Sequence, residues 1–127
     1  MPMMDAAALN DLADRLFDAF VAHDLDTVEA MMAADAVIVQ NGNSMTVAEA
    51  RTMIEGITQV LGDHRYEEAR RVLAENAVVE EHRVRSTTPS GHDVDLTACV
   101  VIRVDGDGRV TSLDEYVDTA PLAKILA

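Results

Sequence analysis

The chain has no tryptophan, and its aromatic rings are two phenylalanines and two tyrosines. So few rings leave little to stack a flat cofactor, and no glycine-rich phosphate loop occurs, so any chemistry is expected to run without a cofactor. Cysteine occurs once, which excludes an internal disulfide; Cys99 sits in the apolar run Ala98 to Ile102 and reads as a buried structural thiol. No two of His23, His64, His82 and His92 stand four apart, so there is no zinc signature. Apolar runs of this length fall far short of the ~20 residues of a membrane span, and no membrane partner is expected. The opening stretch MPMMDAAALNDLADRLF lacks a basic region and carries Asp5 and Asp11. It does not read as a signal peptide, and a cytoplasmic location is expected. Basic residues are also scarce: ten Lys and Arg face 23 Asp and Glu, for a net charge of −13. With no basic stripe to offset that field, nucleic acid is excluded as a partner.

What is present fits one domain over residues 1–127, long enough for a single core. Leu9, Leu12, Leu16 and Phe20 recur at helical spacing, with Ala13 and Phe17 widening the stripe, and predict a helix from about Asp5 to Ala22. Asp24 caps a second, shorter helix, and a strand over Ala36 to Gln40 follows. The cluster Asn41-Gly42-Asn43 breaks that strand. Thr46 with Glu49 then forms a capping box for a third helix, whose apolar positions include Met53 and Ile57 and which Gly62 closes. From there the period changes to two. Long strands are expected over roughly 65–73, 77–87, 94–104 and 109–118, with turn chemistry at Thr88-Pro89-Ser90-Gly91 and Asp105-Gly106-Asp107-Gly108. The second turn lacks the glycine and third oxygen ligand of a calcium loop, where Val110 and Arg109 stand, and is a hairpin turn. Pro121 opens a tail whose Leu122, Ile125 and Leu126 can dock as a last helical turn. Helices first and a meander afterwards predict an α+β domain, with three N-terminal helices on one face of a curved antiparallel sheet.

This order of elements, α-α-β-α-β-β-β-β, together with AADAVIVQNG, NAVVEEHRV and VIRVDGDGRVTSLDEYVD, resembles the nuclear-transport-factor-two-like superfamily and, within it, the SnoaL-like domains. The resemblance implies a cone with a pocket at its wide end, in a group that includes ketosteroid isomerases, limonene epoxide hydrolases and polyketide cyclases. The isomerase pattern would place its tyrosine, aspartate base and protonated aspartate at Leu16, Gln40 and Val100. All three are lost, which excludes that activity, because Gln40 cannot act as a base. The epoxide hydrolase pattern, laid without a gap, puts its Arg-x-Asp pair on Glu81 and Arg83 with the charges exchanged. Its second aspartate falls on Glu115, and its tyrosine and asparagine near Ile38 and Gln40 or Asn41.

In that register Glu81, Arg83 and Glu115 share the concave face with Leu96, Ala98, Val100, Ile102, Leu113 and Val117. Glu115 is then the expected acid or base, Glu81 and Arg83 orient it, and Gln40 donates a hydrogen bond from the mouth. Leu16, Phe20, Met53, Ile57, Ala98, Val100, Leu113 and Val117 are expected to line a site for a small apolar molecule. A structural cross-strand ion pair between Glu81 and Arg83 is the competing reading. Met31, Met32, Met45 and Met53 suit an adaptable pocket, and core filling explains at least Met31 and Met53 equally well. His82, alternating away from Glu81, is expected on the convex face with Asp114, Tyr116 and Asp118, where it can join a homodimer contact through the outer sheet. Three readings remain open: a cofactor-free isomerase, cyclase or hydrolase; a non-catalytic binder of an apolar ligand; and a dimerisation module with a filled cone.

Overall fold

The computed structural model describes residues 4–126. Helix α1 (Ala6–Val21) starts where the Asp5 carboxylate accepts the amide of Ala8, and buries Leu9, Leu12, Leu16 and Phe17. Asp24 caps α2 (Leu25–Met31) in the same way. Strand β1 (Met32–Gln40) begins four residues before the expected start and turns back at Asn41-Gly42 into a short strand the sequence reading did not include, β2 (Asn43–Met45). Both turn residues have positive φ, 46° and 86°. That is the backbone a two-residue hairpin needs and Asn-Gly supplies. The capping box of Thr46 and Glu49 opens α3 (Val47–Leu61), and Gly62, at φ 76°, ends it. A Cβ on Gly62 would stand 3.0 Å from the Thr87 carbonyl oxygen, so glycine also permits this close approach.

Four long strands follow: β3 (His64–Ala74), β4 (Ala77–Thr87), β5 (Asp93–Val104) and β6 (Val110–Val117). The Asp105 carboxylate accepts the amides of Asp107 and Arg109, forming the tight turn into β6. The sheet order is β2-β1-β6-β5-β4-β3. Every pairing is antiparallel except β1 with β6, which is parallel; between those two the chain passes through β2, α3 and the three strands β3 to β5. A short helical segment over Ala120–Leu122 and a helical turn over Ala123–Leu126 follow; the side chains of Lys124 and Leu126 lie outside the described residues. No described helix is long and apolar enough to cross a membrane.

The core lies between α1, α2 and the concave face of the sheet, with Leu12, Leu16, Val78, Val100, Ile102 and Val110 almost wholly enclosed. Of the methionines weighed for a pocket, Met32 is buried in this core and Met31 and Met45 pack against it. The third helix is different. Of its residues only Ala50 is buried, and Ile57 and Val60 remain 39% and 49% exposed. Its amino-terminal half is held by Arg51, which reaches Asp26 and Glu29 of α2. Beyond that anchor its apolar side faces a cavity instead of a packed neighbour.

Candidate active site

The register of the sheet sets the site. Arg71 of β3 stands opposite Glu80 of β4, Glu80 opposite Val100 of β5, Val100 opposite Glu115 of β6, and Glu115 beside Gln40 of β1. These five side chains form one rung across the concave face. Its two carboxylates stand two strand spacings apart, about 10 Å, with Val100 between them.

Their surroundings differ. Glu80 is 1% exposed; its oxygens accept from Arg71 Nε at 2.6 Å and meet His82 Nδ1 at 2.5 Å. Burial alone would raise its pKa, but the hydrogen bonds from His82 and Arg71 outweigh that and hold it below the usual carboxylate range. An ionised carboxylate only accepts, so the shared proton is on Nδ1 of His82. Arg71 also reaches Asp14 at 2.8 Å and the Asn10 carbonyl at 3.2 Å, tying the pair to α1. Glu115 lines the cavity, and its hydrogen-bond partner is the neutral amide of Gln40, at 2.8 Å, instead of a cation. Asn41 fixes the backbone on either side: its amide donates to the Glu115 carbonyl, and its side chain exchanges two hydrogen bonds with Val117. The αL conformation that turns β1 into β2 therefore also positions Glu115.

The cavity has a volume of about 550 Å³ and an apolar lining in which Phe20, Met53, Ile57, Val100, Leu113 and Val117 appear. Its polar groups are few: Gln40, Glu115, Tyr66, His64 and Ser86, with threonines of α3 and the tail. Burial raises the Tyr66 phenol far above its ordinary pKa, and the charges of Glu115 and Glu80 add to this. It is therefore a hydrogen-bond donor throughout the working range. Rings pack behind it, His82 tilted at 4.3 Å and Phe17 edge-on at 5.2 Å between centroids. The Nε2 of His82 is buried without a partner. Gly56 of α3 also lines the cavity, and a Cβ there would meet nothing within 4 Å. Since glycine inside a helix costs stability, Gly56→Ala is expected to stabilise the fold by about 0.5–1 kcal/mol, read as a raised midpoint in urea. A lowered midpoint would show that α3 needs the bare backbone there.

Several expected placements change. Glu81 and Arg83 do not face the cavity. Glu81 is exposed on the convex face opposite Cys99, bound to Arg70 at 3.3 Å, and Arg83 pairs bidentately with Asp95 at 2.9 and 2.8 Å. Their place is taken by Glu80 and His82, and His82, expected outside, is 3% exposed and inside. Antiparallel pairing explains the change. With Ala98 and Val100 facing in, their β4 partners His82 and Glu80 must face in too. The expected register was one residue off on this strand alone. Leu16 belongs to the closed core and Ala98 is buried, and neither lines the cavity. Cys99 is half-buried on the convex face beside Tyr116, not enclosed, because it alternates with Ala98 and Val100. Tyr66, Glu80, His64 and Ser86 were missed as site residues. The signal was present in β4, where Glu81, Arg83 and Arg85 put three charges on one face and Val78 and Val84 stand on the other.

The family described as the SnoaL-like domain matches residues 13–113. No curated protein matches the chain by sequence. Among solved structures, an NTF2-like protein of unknown function from Burkholderia pseudomallei superposes with a TM-score of 0.83 at 19% identity, covering 98% of this chain and 99% of that one. A candidate SnoaL-like polyketide cyclase from Shewanella putrefaciens gives 0.82 at 19% identity, over 99% and 97%. AclR, a candidate hydroxylase from Streptomyces galilaeus, gives 0.86 at 21% identity, over 96% and 86%. At such identities these likenesses establish the fold alone.

Proposed function

The chain belongs to the SnoaL-like domain family, and we propose that it is a cofactor-free enzyme of the isomerase, cyclase or hydrolase class acting on a small apolar carbonyl compound. The observation that carries this reading is the Glu115 carboxylate, set in an apolar cavity and hydrogen-bonded to an amide instead of neutralised by a cation. Such a carboxylate takes a proton from carbon beside the carbonyl, and the Tyr66 phenol donates to the enolate oxygen that develops. Returned to the same carbon, the proton gives exchange; returned to another, isomerisation; an enolate with an internal electrophile gives ring closure. A candidate polyketide cyclase shares this fold, and ring closure falls within the proposed class. The test is deuterium uptake from D2O by a panel of enolisable fused-ring ketones, followed by mass spectrometry. Exchange no faster than in buffer for every member, although some bind, would leave the binding reading in its place. An open cavity disfavours the module with a filled cone.

A second proposal concerns the convex face, for which the partner is a second copy of this chain. Val72 and Tyr116 are exposed there, 67% and 54%, beside Val79, Val101 and Cys99. The flanks carry opposed charges already paired, Arg70 with Glu81, Arg83 with Asp95 and Arg103 with Asp114. In a chain of net charge −13 this face brings two copies together without the repulsion the rest of the surface would impose. Sedimentation equilibrium should show a dimer that Val72→Glu converts to monomer. A wild-type protein monomeric at high micromolar concentration would remove the proposal.

A further inference from the structure

Helix α3 is held along one half only. The capping box of Thr46 and Glu49 fixes its start, Val47, Ala50 and Ile54 pack on the core, and Arg51 reaches Asp26 of α2 at 2.7 Å. Past Ile54 the packing stops. Among the described residues, none of 56–61 belongs to the core or packs against it, and Ile57 and Val60 stay exposed although both line the cavity. The change falls at Gly56. This glycine answers no steric need, since a Cβ there meets nothing within 4 Å and its φ is not positive. It nevertheless weakens the helix where the anchored half ends. A second glycine, Gly62 at φ 76°, bounds the segment at its other end.

Just beyond Gly62 the chain is caught again. Asp63 hydrogen-bonds Nε2 of His23, in the turn between α1 and α2, at 2.9 Å. Among the described residues this is the one side-chain hydrogen bond that ties 56–63 to another element. Phe20, before His23, and Leu61 and His64, on either side of Asp63, all line the cavity, so the contact spans its rim. The Asp63 side chain is 93% exposed, and a lone polar contact so open to water is weak enough to release.

We propose that residues 57–61 are a hinged cover over the cavity, pivoting at Gly56 and Gly62 and latched to the α1–α2 turn by His23 and Asp63. Closed, the cover lays Ile57 and Val60 along the cavity; released, it swings clear so that a molecule can enter or leave. It serves an occupant that reacts and one that only binds, so it does not depend on the acid/base reading of Glu115.

A pivot at Gly56 has its own signature. Each amide of an α-helix bonds the carbonyl four residues back, so Ile57, Thr58 and Gln59 reach across Gly56 to Met53, Ile54 and Glu55. Bending there opens those three bonds and spares those within the cover, such as Gly62 to Thr58 at 2.8 Å. Fraying from the end would instead release Leu61 first. Residue-resolved amide hydrogen exchange, followed by NMR on the full chain without ligand, distinguishes the two. Protection at Ile57, Thr58 and Gln59 is expected to be about tenfold lower than at Met53 and at Leu61. Gly56→Ala should raise it about two- to fivefold, and Asp63→Ala, a change at an exposed side chain, should lower it by a similar factor. A smooth decline in protection from Met53 to Leu61 overturns the cover, and so does a minimum that either substitution leaves unmoved. Because no ligand is present, the result stands apart from deuterium uptake by ketones, and either can fail without the other.

Discussion

Glu115→Gln is expected to lower the rate of deuterium exchange by about 10²–10⁴-fold while leaving ligand affinity within a few-fold of wild type. Glutamine keeps the size of the side chain and its hydrogen bond with Gln40, so the rung across the sheet is preserved. It removes the basic oxygen and nothing else. The loss should therefore appear in the rate at saturating ligand, not in the concentration needed to saturate. Tyr66→Phe is the companion measurement. It removes the donor facing the same cavity and keeps the ring that stacks on His82. Because it withdraws stabilisation from a developing enolate, it should slow exchange less than Glu115→Gln does. An exchange rate unaffected by Glu115→Gln would place the base elsewhere, and His64, whose ring lines the same cavity, would then be the group to examine.

The order of the longer helices and strands was legible because each announces itself locally: caps at Asp24 and Thr46, turns at Gly62 and Asp105, and period-2 alternation afterwards. Strand β2 is three residues long, too short to show any periodicity, although the Asn41-Gly42 turn before it carries the hairpin signal. The faces of β5 and β6 were equally readable, since Leu96, Ala98, Val100 and Ile102 form one apolar set and Glu115 lies between Leu113 and Val117. On β4 both faces carry charge, Glu80 inside and Glu81 outside, so alternation alone is weaker there. A register borrowed from a resemblance filled that gap and was one residue off. What identifies Glu80 as the inner residue is the pairing of β4 with β3 and β5, together with the Arg71 that reaches it, and both are long-range facts. Cavity volume was not legible for a related reason. It depends on α3 standing away from the sheet, and nothing in the apolar spacing of α3 distinguishes a face packed on neighbours from a face left open to a ligand.

The Glu80 network yields the largest expected effect on stability and a pH signature of its own. Glu80→Ala leaves the His82 Nδ1–H buried without an acceptor and takes from Arg71 its least exposed partner, a loss of about 3 kcal/mol by the usual cost of breaking a buried ion pair. Glu80→Gln keeps one acceptor and should cost about half as much. The pH dependence follows from the direction of the shift. The folded-state pKa of Glu80 lies below its unfolded value, so its stabilisation is fully present above the unfolded pKa and is lost as pH falls through the folded one. The stability gap between wild type and Glu80→Gln should therefore be widest near neutral pH and narrow on acidification below about pH 4. Asp24, Glu49 and Asp95 also have pKa values lowered by their hydrogen bonds, from Thr27, Thr46 and Arg83 respectively. Those contributions are common to both proteins and cancel in the difference. Urea unfolding of the pair across this range measures the gap directly. A gap that stayed constant into acid would mean that Glu80 is already protonated at neutral pH, and that Arg71 is held by Asp14 and Asn10 instead.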